Sequence, residues 1–197
     1  MGRSNREQAD KNRQRIVDET SATMRGSGVG AVSISEIMAR VGMTPGGFYN
    51  HFASKEALIA EACSSGFARS AENWRAKTTS HKGSVTGTLN RLISYYFASK
   101  PIEKTCPMVA LGQDAAPHHA SEGFSQAYRE GVEQLFTTFA DIAHADASCS
   151  LSRQDLVVVF AAMVGANMLA RSTGDRTWAA EVERVLVMPH GHQASNV

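Results

Sequence analysis

The chain has 197 residues, of which 43% are hydrophobic and 20% charged. That composition suits one compact unit or two small ones and excludes a disordered, collagenous or low-complexity chain. Twenty Lys and Arg stand against 19 Asp and Glu, a formal charge of +1, so the global balance points to neither nucleic acid nor membrane. The sum hides a gradient. Residues 1–59 carry 8 basic against 6 acidic side chains, 60–104 carry 7 against 3, and 105–197 carry 5 against 10.

Cys63, Cys106 and Cys149 are odd in number, widely spaced and outside any C-x-x-C pair, which reads as free thiols of a reducing cytoplasm rather than a zinc or redox motif. The polar N-terminus lacks the apolar core of a signal peptide. Apolar residues recur at three and four, and strand-like alternation is nearly absent, so the expected fold is all-α.

The first predicted helix covers about residues 5–24, with Ile16, Val17, Thr20 and Met24 as its inner stripe, and stops at Gly26, Gly28 and Gly30. Those glycines match no phosphate-loop motif. Ser33-x-x-Glu36 has the form of a capping box opening a helix to about Val41, which Gly42 ends. Thr44 and Pro45 open the next, and Ser54 caps a helix reaching the late seventies through Leu58, Ile59, Ala62, Phe67, Ala71 and Trp74. Residues 78–83 read as a linker. A helix over about 85–98 follows, with Leu89, Leu92, Ile93, Tyr96 and Phe97 on one side, then a short one after Thr105 and a long one over about 121–145. Ser152-x-x-Asp155 opens the apolar helix to about 172; its run 156–170 would span about 22 Å, short of a bilayer core of roughly 30 Å, and is expected to be buried. Thr173, Gly174 and Asp175 turn the chain into a last helix, and the tail beyond Pro189 is expected to fray.

Residues 33–52, SISEIMARVGMTPGGFYNHF, hold two short helices joined by a turn at Gly42, with Ile37, Val41, Met43 and Phe48 placed to pack them steeply together. That is a helix-turn-helix pattern, whose second helix has a packed back and a polar front able to enter a major groove of about 12 Å. Lys55, in the first turn of the following helix, offers an ammonium and neighbouring amides to a phosphate. Tyr49 and His51 can donate to phosphate oxygens or touch a thymine methyl, and Ser33 and Thr44 sit at helix starts where they can do likewise.

The strings SISEI at 33–37, GMT at 42–44, GFYNHF at 47–52 and SKEAL at 54–58 together resemble the DNA-binding domain of the TetR family of transcriptional regulators. The likeness in motif covers about residues 10–60, and the remainder matches in helix count, length and order. It implies about nine helices in two parts: a helix-turn-helix DNA-binding domain over 1–53, and a helical ligand-binding and dimerisation domain over 54–197. It also implies a homodimer through the last two helices, and DNA contacts at Ser35, Thr44, Pro45, Gly47, Tyr49, Asn50, His51 and Lys55. The implied function is a cytoplasmic regulator, a repressor released from its operator by a small-molecule effector. Departures lie at Gly46 and Gly47, which thin direct readout and leave weight on Pro45, Asn50 and DNA shape. Met38 replaces a small residue between the motif helices, and Val29 stands where relatives favour an aromatic.

Val157, Phe160, Ala161, Val164 and Met168 fall in the expected pairing helix, with Gly165 and Ala166 permitting close approach. The helical body also holds more large apolar residues than a thin bundle needs. Trp74, Tyr96, Met108, Phe124, Tyr128, Phe160 and Met163 are candidate lining for an effector, and Asn167 is a polar group in the most apolar helix that must find a partner. Cys106, between Thr105 and Pro107 and flanked by Lys100 and Lys104, is a candidate sensor for oxidants or electrophiles. His118 and His119, expected to diverge on a helix, make no metal site, and no cofactor is implied. A helical enzyme and a protein–protein adaptor are the rival classes; no G-x-S-x-G, H-E-x-x-H or paired-carboxylate motif supports the first.

Overall fold

The computed structural model describes residues 2–79, 87–147 and 149–187. Among them are eight α-helices, three short 3-10 helices and no strand, as the periodicity requires. They form two compact units, Met1–Ser70 with Lys100–Gln134 and Ala71–Ser99 with Leu135–Val197. Two long helices, α3 (Lys55–Thr79) and α6 (Glu122–His144), contribute residues to both.

In the first unit α1 (Gly2–Ser27) buries Ile16, Val17, Thr20 and Met24, the expected stripe. It runs a turn further than the glycine cluster suggests and takes in Gly26. The chain leaves the helix only at Gly28, whose φ of 87° an L side chain rarely adopts. A 3-10 turn, Val29–Ala31, follows and is tied down from far along the chain: the Val29 N–H donates to Asp114 Oδ2 at 2.9 Å. Next come α2 (Ile34–Arg40), the 3-10 helix Pro45–Asn50 and the start of α3, then Ile102–Lys104 across α1, α5 (Pro107–Leu111) and the first half of α6. α3 and α6 meet closely at Gly131, where an added Cβ would stand 2.3 Å from the buried Phe67 ring. Tyr128 meets that ring edge-on with centroids 5.5 Å apart and donates to the Met108 carbonyl at 2.8 Å.

The second unit packs α4 (Thr88–Phe97) on α7 (Arg153–Thr173) and α8 (Thr177–Val187), and α7 on α8. Leu89, Leu92, Ile93, Tyr96 and Phe97 of α4 are all buried as expected, with Trp74 edge-on to Tyr96 at 5.8 Å. Asp146 Oδ2 accepts the Leu89 N–H at 2.9 Å, closing the first turn of α4. Phe160 lies 5.3 Å from Phe136 and 5.6 Å from Phe139. The Ser152 and Asp155 capping box forms in both directions, Gly174 ends α7 in the left-handed region, and Asp175 Oδ1 takes the Thr177 N–H at 2.9 Å to start α8.

Several expectations are corrected. The box at Ser33 does not form: Ser33 occupies the N-cap of α2 in extended backbone, yet its Oγ lies 3.0 Å from Ser35 Oγ, and the two hydroxyls satisfy each other instead of the helix amides. The apolar helix is not wholly buried. Leu156, Val159, Phe160, Met163, Ala166 and Ala170 face inward, while Val157, Val158, Met168 and Leu169 are exposed. At 21 residues it is also long and apolar enough to cross a membrane, a test that core helices of soluble proteins pass as well, so its length does not exclude a span. His118 and His119 lie in a turn rather than on a helix, with ring centroids 4.2 Å apart. Of the proposed linker, Thr78 and Thr79 belong to α3 and the rest lies outside the described residues, as does the tail beyond Pro189.

Candidate nucleic-acid interface

The motif is assembled from two short elements and a turn. α2 ends as the Val41 N–H donates to the Ile37 carbonyl at 3.1 Å, and Gly42, with φ 73°, reverses the chain. The Met43 N–H then donates to the Met38 carbonyl at 2.8 Å. Ile37, Met38, Val41 and Phe48 are buried between the elements. The second element is a six-residue 3-10 helix, Pro45–Asn50, rather than an α-helix. Pro45 presets its first φ, while two successive glycines inside it weaken any longer helical run. Thr44 precedes it in extended backbone without donating or accepting a side-chain cap; its carbonyl receives the Gly47 N–H at 3.0 Å.

This 3-10 helix, the candidate reading element, has two faces. Phe48 is fully buried, stacks on Phe52 at 5.5 Å and meets Tyr49 edge-on at 5.1 Å. Tyr49 itself is 72% exposed, the most exposed large hydrophobic side chain among the described residues, so its ring is braced from behind while its hydroxyl points outward. Thr44, Pro45 and Asn50 are exposed, and His51 is half-buried at the end of the element. The glycines differ. A Cβ at Gly46 would meet nothing within 4 Å, whereas one at Gly47 would lie 3.6 Å from Met38 Cε and 3.9 Å from Met43 Cε. A side chain at Gly46 would stand in open space, and one at Gly47 would make ordinary van der Waals contact with Met38 and Met43.

Ser33 is half-buried and Ser35 exposed at the start of α2, and Lys55 is half-buried in the first turn of α3. Ser54 caps α3 by accepting the Ala57 N–H at 3.1 Å. Glu56 is held below the usual carboxylate range by its own main-chain amide and then by the Ser54 hydroxyl.

The candidate effector residues fall in two groups. In the first unit, Cys106 is half-buried just before α5, Met108 and Phe124 are buried, and burial pushes the Tyr128 hydroxyl up to about 12, with Cys106 and Cys63 adding to the effect. Burial pushes the Cys63 thiol up to about 12 as well. Arg25, missed by sequence reasoning because it is a buried cation in a helix read as charged outside, is only 7% exposed. Burial lowers its pKa, Arg69 lowers it further, and Cys106, Glu103 and Asp18 oppose them. In the second unit Trp74, Tyr96, Phe160 and Met163 are buried, and the half-buried Asn167 donates to the Met163 carbonyl of its own helix at 3.5 Å. Among the described residues no group of three or more His, Cys, Asp or Glu is placed to hold a metal ion.

Residues 33–52 thus form a helix-turn-helix within an all-helical chain. Residues 16–62 match the family model of the bacterial regulatory proteins of the tetR family. Among solved structures, the reduced form of NemR from E. coli superposes with a TM-score of 0.75 at 18% identity, covering 94% of this chain and 100% of that one. A TetR-family transcriptional regulator from Agrobacterium tumefaciens gives 0.74 at 16% identity, covering 91% and 97%. One from Cytophaga hutchinsonii gives 0.71 at 18%, covering 96% and 98%. No curated relative matches the sequence. Residues 16–62 thus match the family's DNA-binding model, and the chain as a whole shares its fold with these regulators.

Proposed function

We propose that the chain is a homodimeric transcriptional repressor, released from its operator when a small-molecule effector binds. The observation that carries this reading is the two-faced reading element, with Phe48 and Phe52 locked behind and Thr44, Pro45, Tyr49 and Asn50 presented in front. DNA contacts are assigned to Ser33, Ser35, Thr44, Pro45, Gly47, Tyr49, Asn50, His51 and Lys55, within a DNA-binding domain over 1–53. Residues 54–197 form the ligand-binding and dimerisation domain. Exposed Val157, Val158, Met168 and Leu169 on α7, with Trp178 and Val185 on α8, support pairing of two chains, since such apolar surface is costly to leave in water. Effector contacts are assigned within the first unit to Cys106, Met108, Phe124 and Tyr128, and within the second to Trp74, Tyr96, Phe160, Met163 and Asn167. The effector acts by shifting the population toward a state that fits the operator poorly. The protein acts in the cytoplasm and needs no cofactor.

A gel shift on the DNA upstream of the chain's own gene, repeated at rising salt, tests the reading. Binding that weakens steeply with salt is expected, because each phosphate neutralised releases counterions. A helical enzyme or an adaptor would give no shift.

A second reading makes Cys106 the sensor. It is favoured by the place of Cys106, half-buried immediately before α5, where its charge would interact with that of Arg25. The thiolate sulfur would add to an electrophilic carbon of a quinone, and the adduct would take up a proton. Cys106→Ser should then hold its DNA in the presence of quinone while the wild type lets go; equal release from both rules this reading out.

A further inference from the structure

Basic side chains beside a helix-turn-helix are natural candidates for phosphate contacts. Two arginines of α1 have other employment. Arg15 Nη2 donates to the carbonyl of Val41 at 2.7 Å, the residue that closes α2. Arg13 Nη1 donates to the carbonyl of His51, the residue that closes the reading element. Arg13 is itself held on its other sides: Nε donates to Glu61 Oε1 at 3.1 Å, Nη2 pairs with Glu61 Oε2, and the guanidinium carbon sits 4.2 Å from the centroid of the Phe52 ring.

The last carbonyls of a helix have no partner inside it and carry partial negative charge, so a guanidinium placed there is favourable. Side chains two apart on a helix diverge, which lets Arg13 and Arg15 reach different elements. The six-residue 3-10 helix with its paired glycines has few internal bonds and needs bracing from outside. We propose that Arg13 and Arg15 are positioning residues that clamp the C-terminal ends of both motif helices to α1, and in Arg13's case to α3 through Glu61, rather than contacts to phosphate. This rests on the DNA-binding reading and deepens it: the angle at which Tyr49 and Asn50 are presented is fixed from behind.

The test measures affinity of the full-length protein for its upstream duplex and for a scrambled duplex of equal length, over a range of salt, for wild type, Arg13→Gln, Arg15→Gln and Lys55→Gln. For the arginine variants the preference for the upstream duplex should fall about tenfold or more while the slope of log affinity against log salt stays unchanged. For Lys55→Gln the slope should become shallower by about one. Arg13→Lys covers the case in which the glutamine variants unfold: it keeps the charge but loses the planar fork, and should remain folded by circular dichroism while losing the preference. An Arg13 variant with a slope shallower by one and an unchanged preference marks a phosphate contact and overturns the clamp. Variants that bind as wild type overturn it too, leaving the regulator reading standing. If wild type prefers no duplex, both fall together.

Discussion

At the scale of single residues the Pro45–Asn50 element divides burial and exposure between adjacent side chains. Phe48 is buried against Phe52 and the motif core, and Phe48→Ala should cost about 3–5 kcal/mol by thermal or denaturant unfolding. Tyr49 is exposed, so Tyr49→Ala should change stability by no more than about 0.5 kcal/mol while weakening the gel shift. A Tyr49 variant that melts like the Phe48 variant would assign the ring to the core instead. The serine at 33 teaches a related lesson. Its spacing to Glu36 fits a capping box, but a second hydroxyl two residues on competes for it, and sequence spacing does not rank local partners. The same limit hid Arg25 and the two clamping arginines. A basic residue in a polar helix reads as solvated until its long-range partners, here Val41, His51 and Glu61, are brought beside it by the fold.

At the scale of elements, apolar periodicity made most helices legible. The stripes of α1, α3 and α4 are buried residue for residue, and the box at Ser152 forms as its spacing implies. Close approach between helices leaves no such trace. Nothing in the order of residues marks Gly131 as the point where α6 meets Phe67 of α3, and Gly131→Ala, whose Cβ would enter the ring, should destabilise the fold by about 1–3 kcal/mol as read by unfolding. A variant as stable as wild type would mean the helices separate there freely. At the start of α7, the Ser152 hydroxyl and then its main-chain amide hold Asp155 below its ordinary value of 3.8. A depressed carboxylate pKa adds stability above the unfolded value that disappears as pH falls through the folded one. Acid below about pH 4 should therefore loosen α7, and Asp155→Asn should flatten that limb of the melting-temperature profile. A profile identical to wild type would show the carboxylate to be uncoupled from folding.

At the scale of the whole molecule, basic side chains outnumber acidic ones before residue 105 and acidic ones outnumber basic ones after it. The inward face of the apolar helix was legible as core, but which face a monomer leaves open depends on how α4 and α8 cover it, and no single-helix pattern records that. Val157→Glu, on the open face, should preserve helix content, shift the protein to monomer in sedimentation and weaken operator binding, because two reading elements bound as one particle outbind one. A dimer that persists would place the interface elsewhere. The proposed repressor needs two copies of the Pro45–Asn50 element to enter grooves on one face of a duplex. Hydroxyl-radical footprinting of the upstream DNA measures this directly. Two protected patches are expected, centred about one helical turn, roughly 10 base pairs, or a whole multiple of it apart; a duplex cleaved evenly along its length at low salt, or protected at one isolated patch, would contradict it.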